Sequence, residues 1–239
     1  MRFVTPVALA LTLAMAGGAV SAPAFAAKKE EKKAGPKLNV TPDVLKALQV
    51  AQKASEAKDL AATKTALAEA DSKATSNDDK YQIGAIKLNA GIGNNDEALK
   101  MEGLNQMLDS GLTPPEQAGQ FNAVAADAAL AQKNYDVAIQ RGEAALAAGY
   151  KPEAVQPTIA QAYFGKAGTT NTSAEPARGF TQKGLAALKA AAEASKASGQ
   201  QVPAQWYQIG VSRSEAAKLP EVTEWATMAY QADPSGQNL

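Results

Sequence analysis

From Thr41 onward, almost every segment of this chain reads as an alanine-rich amphipathic helix, broken at clusters of Gly, Pro and Asn. Alanine is the strongest intrinsic helix former, and the β-branched alternation that marks strands is scarce, so the pattern predicts an all-α fold. The breaks also keep a period. A window from Gly119 to Pro152 holds one helix about Phe121 to Gln132 and a second about Tyr135 to Ala148, parted at Lys133-Asn134. The next window starts at Glu153 and makes Ala126 and Ala160 equivalent, 34 residues apart. The last, Pro203 to Gly236, contains Trp206-Tyr207-Gln208-Ile209-Gly210, whose final four letters already occur at Tyr81-Gln82-Ile83-Gly84. Self-similarity at a period of roughly 20 to 50 residues is the mark of a stacked array.

The run Trp206-x2-Ile209-Gly210, followed by Ala226, Ala229 and Asp233-Pro234, resembles the tetratricopeptide repeat (TPR) family. Trp206, Ile209, Gly210, Ala229 and Pro234 take the family's Trp, Leu, Gly, second Ala and Pro places, and Tyr163 takes the Tyr place one window earlier. Tyr135-Asp136-x-Ala138-Ile139, with Ala145-Leu146, resembles the family's second helix. There are departures: Arg213 stands in the Tyr place, Gly142 in an aromatic place, and the Pro of that window has slipped to Pro152. The resemblance implies a right-handed superhelix of about five antiparallel helix pairs, a TPR-like α-solenoid with units about 41–78, 79–118, 119–152, 153–202 and 203–236. "AGIGNNDEA" from Ala90 suggests the related Sel1-like repeat as a variant of the same reading.

Packing supplies a reason for these positions. Helix axes about 8 to 10 Å apart leave no room for large side chains at the closest approach. Gly210, Ala126, Ala160, Ala138 and Ala145 are small there, and Trp206, Ile209, Tyr163 and Phe121 fill the space between pairs. The fourth unit departs most. Gly165 to Pro176 replaces a tight turn and stretches the spacing from Ala160 to Gly210 to 50 residues. Such an insertion is either a neutral surface loop or a functional one.

The chain opens MRFVTPVALALTLAMAGGAVSAPAFA, with Arg2 ahead of an apolar run and Ala24-Phe25-Ala26 fitting the small-x-small cleavage rule. Residues 1–26 are therefore expected to be a cleaved signal peptide, residues 27–40 a flexible charged leader, and residues 41–236 the helical domain of a soluble periplasmic protein. The alternatives are a membrane anchor at the start, for which the apolar run is short, and a basic docking tail in the leader, which Glu30 and Glu31 dilute. With no Cys the fold must rest on its apolar core, and a mature net charge of −1 gives no steering toward nucleic acid or anionic lipid.

The absence of His and Cys removes Ser-His-Asp and Cys-His catalysis, the common zinc sites and thiol redox chemistry. Adjacent carboxylates at Asp78-Asp79 and Asp96-Glu97 point in different directions on a helix, so capping is the expected role, with Asn95 or Asp96 as a cap. No catalytic residue, cofactor or metal is expected; an all-helical carbohydrate-active enzyme is the remaining catalytic option. The family resemblance implies instead a concave wall lined by the first helix of each pair, holding a peptide or protein. Carried onto this frame, that wall takes Tyr81, Leu88, Asn89, Gln120, Asp127, Ala131, Gln161, Phe164, Tyr207, Val211 and Ser214, with Tyr81, Phe164 and Tyr207 as apolar anchors. Self-association through the repeat ends is the alternative.

Overall fold

The computed structural model describes residues 37–232, and within them the chain forms ten α-helices and no strand. The helices run in five consecutive pairs: α1 Pro42–Glu56 with α2 Leu60–Lys73, α3 Asn77–Asn94 with α4 Glu97–Asp109, and α5 Pro115–Ala131 with α6 Tyr135–Ala147. Then follow α7 Pro152–Ala167 with α8 Ala177–Ala197, and α9 Ala204–Ala216 with α10 Val222–Ala232. The expected signal peptide, most of the expected leader, and Pro234 lie outside the described residues. The end of that leader is tied down: the Asn39 N–H donates to Asp78 Oδ2 at 2.7 Å, and Val40 packs on the core of the first two pairs.

Helix α5 begins at Pro115, well before the expected Phe121. Proline at the first turn loses no hydrogen bond, because that N–H has no intrahelical partner, and Glu116 complements the positive helix end. Helix α3 begins at Asn77 because Ser76 and Asp79 form a reciprocal capping box ahead of the "YQIG" run.

The turns repeat more faithfully than the sequence does. Within pairs one, two, three and five, the turn carries a single left-handed residue: Lys58, Asn95, Lys133 and Lys218. The next N–H then reaches back to the carbonyl five residues earlier, as in Asp59 to Ala54 at 2.9 Å and in Asp96 to Gly91, Asn134 to Ala129 and Leu219 to Ser214 at 2.8 Å. Between pairs, Gly149 and Gly199 do the same, with Tyr150 bonding Ala145 and Gln200 bonding Ser195. These are Schellman closures, which satisfy the last carbonyls of one helix while reversing the chain into the next. The fourth pair alone replaces this turn with the segment from Gly168 to Pro176.

Helix backbones approach most extensively within the first four pairs, and every backbone approach between pairs joins consecutive pairs: α1 and α2 with α3, α4 with α5, α5 and α6 with α7, and α8 with α9. That is the nearest-neighbour pattern of repeat proteins. One apolar core joins the first two pairs around Val44, Leu48, Leu67, Ile83 and Leu99. Another joins the later pairs around Val155, Ile159, Leu185, Leu188, Leu219 and Trp225.

Candidate functional site

The small residues of the repeat frame lie in the interior: Ala126, Ala138, Ala145 and Ala160 are fully buried and Ala229 nearly so. Tyr163, Trp206 and Ile209 are partly buried and pack against the core. A Cβ placed on Gly210 would lie 2.1 Å from the Trp225 ring, and one on Gly84 would lie 2.8 Å from the backbone of Gly103 and Met107. The two "YQIG" glycines thus mark close approach of the partner helix, through a side chain in one case and the backbone itself in the other.

The expected wall residues divide into two sets. Tyr81, Phe164 and Tyr207 are 5%, 6% and 4% exposed, so the three expected anchors are core residues, and Leu88 and Ser214 are buried as well. Phe164 is drawn inward by Gly184 of α8, where a Cβ would sit 2.5 Å from its ring. Ser214 donates to its own helix at Gly210 O, 2.6 Å away. By contrast Asp127, Ala131 and Gln161 are exposed, while Asn89, Gln120 and Val211 are partly so. Gln120, Val124, Asp127 and Ala131 recur at three- and four-residue spacing and share one face of α5. The Thr158 hydroxyl of α7 donates to Asp127 Oδ1 at 2.6 Å, joining that face to the first helix of the next pair. Val124, 43% exposed, is the apolar member of this stripe; it was missed because the frame favoured aromatic residues.

The paired carboxylates act as caps. Asp79, fully buried, accepts from the Thr41 N–H at 2.7 Å and hydroxyl at 2.8 Å, the Thr75 N–H at 3.0 Å and the Ser76 N–H at 3.1 Å. Burial by itself would push its carboxyl upward, but these donors win and hold it well below the usual carboxylate range. One side chain therefore fastens the starts of α1 and α3 and the end of α2 together. Asp96 caps α4 through the Leu99 N–H at 2.9 Å and pairs with Lys64 at 2.5 Å. The Lys64 ammonium, followed by the Leu99 N–H, lowers its pKa.

A second polar feature was not foreseen. The backbones of α2 and α4 do not approach each other, although Gln106 of α4 donates to Asp71 of α2 at 2.7 Å, and over α3 the two helices leave a cavity of about 600 Å³ bordered by Asp71, Ala74, Lys80, Lys87, Glu102, Asn105, Gln106 and Asp109. Lys87, only 3% exposed, lies at its floor and meets Asp71 and Glu102, each at 2.5 Å. Lys87 is the one charged residue between Tyr81 and Ile92, and a lone lysine inside such an apolar run needs buried partners. That was the available signal.

Among the described residues no group of three or more His, Cys, Asp or Glu side chains could hold a metal ion, and no helix is long and apolar enough to cross a membrane. Comparison with known proteins found no matching family model, no similar curated protein and no similar solved structure.

Proposed function

We propose that this chain is an exported, periplasmic interaction module whose helix pairs stack into a TPR-like right-handed superhelix and hold a protein or peptide partner against the first-helix wall. Nearest-neighbour packing carries this reading, because an array without a central core spends its side chains on extended faces rather than on an enclosed pocket. The partner face is centred on α5 and α7, where Gln120, Val124, Asp127 and Gln161 offer a mildly polar surface with one apolar contact point. It acts as an adaptor or scaffold and carries out no chemistry of its own.

A photoreactive amino acid placed at Gln161 of the exported protein tests this in cells. Partners crosslinked there should fall at least tenfold in Val124→Asp, which leaves the core intact. If the same partners are captured undiminished, the face is misassigned; if the only adduct is a second copy of the chain, the protein is a self-associating envelope component instead.

A further inference from the structure

The joints between pairs are of two kinds. At the first joint α1 and α2 both approach α3, and at the third α5 and α6 both approach α7, whereas at the second and fourth one helix meets one helix, α4 with α5 and α8 with α9. Two lines of contact fix the angle between packed elements, while a single line leaves rotation about it open, so the array can bend at its second and fourth joints. The fourth is tied by the insertion, with Thr172 donating to Ala216 O and Arg213 to Gly168 O, each at 3.0 Å. The second has no insertion to tie it.

The linker at that second joint divides between its two helices. The Ser110 and Thr113 hydroxyls donate back to Met107 O of α4 at 2.6 and 3.0 Å, while Pro114 O accepts from the Gln117 and Ala118 N–H groups of α5 at 2.8 and 2.9 Å. The pivot therefore falls between Thr113 and Pro114. Across the joint, Arg141 of α6 donates to Asp109 of α4 at 2.6 Å, although the backbones of α4 and α6 stay apart. The Arg141 side chain is 15% exposed and that of Asp109 66%, so the shielded guanidinium leans on this carboxylate while the carboxylate can reach another cation. One is close: Lys80, exposed on α3, borders the same cavity as Asp109 and has no ion-pair partner among the described residues.

We infer that the second joint is the hinge of the array, latched by Arg141 on Asp109, and that opening it passes Asp109 from Arg141 to Lys80. Arg141 then meets water, so no charge is left buried and alone. Opening turns the last three pairs about the α4–α5 contact and changes the gap between α3 and α5, while the approach of α5 to α7 is kept.

Because the chain has no cysteine, spin labels can be attached at introduced ones in the full mature protein. Ala61→Cys in α2 with Gln140→Cys in α6 spans the second joint, and Gln140→Cys with Ala186→Cys in α8 spans the third; all three positions are exposed. Distances are read by double electron–electron resonance. Arg141→Gln should give the Ala61–Gln140 pair a second maximum, and Asp109→Ala should broaden its distribution about twofold, while the Gln140–Ala186 pair keeps its wild-type width in both. Adding Lys80→Gln to Arg141→Gln should remove the second maximum. Asp109 is exposed, so Asp109→Ala still tests the latch if Arg141→Gln does not fold. Unchanged Ala61–Gln140 distances in Asp109→Ala, equal broadening at both joints, no second maximum in folded Arg141→Gln, or one that survives Lys80→Gln would each overturn the assignment.

Discussion

Replacing Asp79 should detach the first helix pair from the second. In Asp79→Asn the amide oxygen can keep the Thr75 and Ser76 N–H groups and the Thr41 hydroxyl, all of which face Oδ2, but its NH₂ then confronts the Thr41 N–H, which faces Oδ1. A buried donor left without an acceptor costs about 1 to 3 kcal/mol, and bonds to a neutral oxygen are roughly half as strong as those to a carboxylate. The expected loss is about 2 to 4 kcal/mol, a fall of about 5 to 10 °C in Tm for a chain of this size. Thermal melts followed by circular dichroism measure the total, and residue-resolved hydrogen exchange should place the loss in α1 and α2. The pH dependence has a definite sign. The folded carboxyl lies below its ordinary value, so its stabilisation is complete above the unfolded value of about 3.9 and is lost as pH falls through that value toward the folded one. The difference between wild type and Asp79→Asn should therefore be constant from neutral pH to about pH 5 and shrink below it. A variant within about 0.5 kcal/mol of wild type at neutral pH, or a difference that grows on acidification, would refute the capping account.

Gly210→Ala drives a methyl into the Trp225 ring and should cost about 2 to 3 kcal/mol, measured by urea unfolding. Gly165→Ala meets Tyr135 of α6, with a Cβ 2.3 Å from the ring, and Tyr135→Ala should recover part of that loss in the double variant, a coupling that a double-mutant cycle reads directly. Mass spectrometry of the exported protein should find its N-terminus at Ala27.

The all-helical class and the order of the pairs were legible because they depend on patterns a single chain displays: alanine-rich runs, breaks at Gly, Pro and Asn, and small residues recurring at fixed spacing. Ala126 and Ala160 could be matched on that basis. Which face each helix buries was less legible, because rotation by one residue moves a side chain about 100° around the axis. Phe164 illustrates the problem. Its inward turn depends on Gly184, a residue of a different helix whose role no local pattern reveals. The Lys87 cleft was illegible for a related reason: Asp71, Lys87 and Glu102 come from three helices, and only packing brings them together.

The insertion in the fourth pair shows how a break in the period is accommodated. The first helices α1 and α3 approach each other, as do α5 and α7, whereas the backbones of α3 and α5 do not, and neither do those of α7 and α9, which flank the insertion. Arg213 spans that wider gap: it lies 5.0 Å from the Phe164 ring and donates to Gly168 O at 3.0 Å. Thr172 of the insertion, itself buried, donates to Ala216 O at 3.0 Å. The residue that departs from the repeat signature and the segment that departs from its spacing thus compensate for one another, and the inserted loop becomes a strap on the last pair. Arg213→Ala removes a cation–π contact and a hydrogen bond and should cost about 1 to 2 kcal/mol. Hydrogen exchange should then rise in residues 168–176 and in α9 while α1 to α6 keep their protection. Rescue by Arg213→Lys would argue against this account, because an ammonium lacks the planar fork that stacks on Phe164 while reaching Gly168.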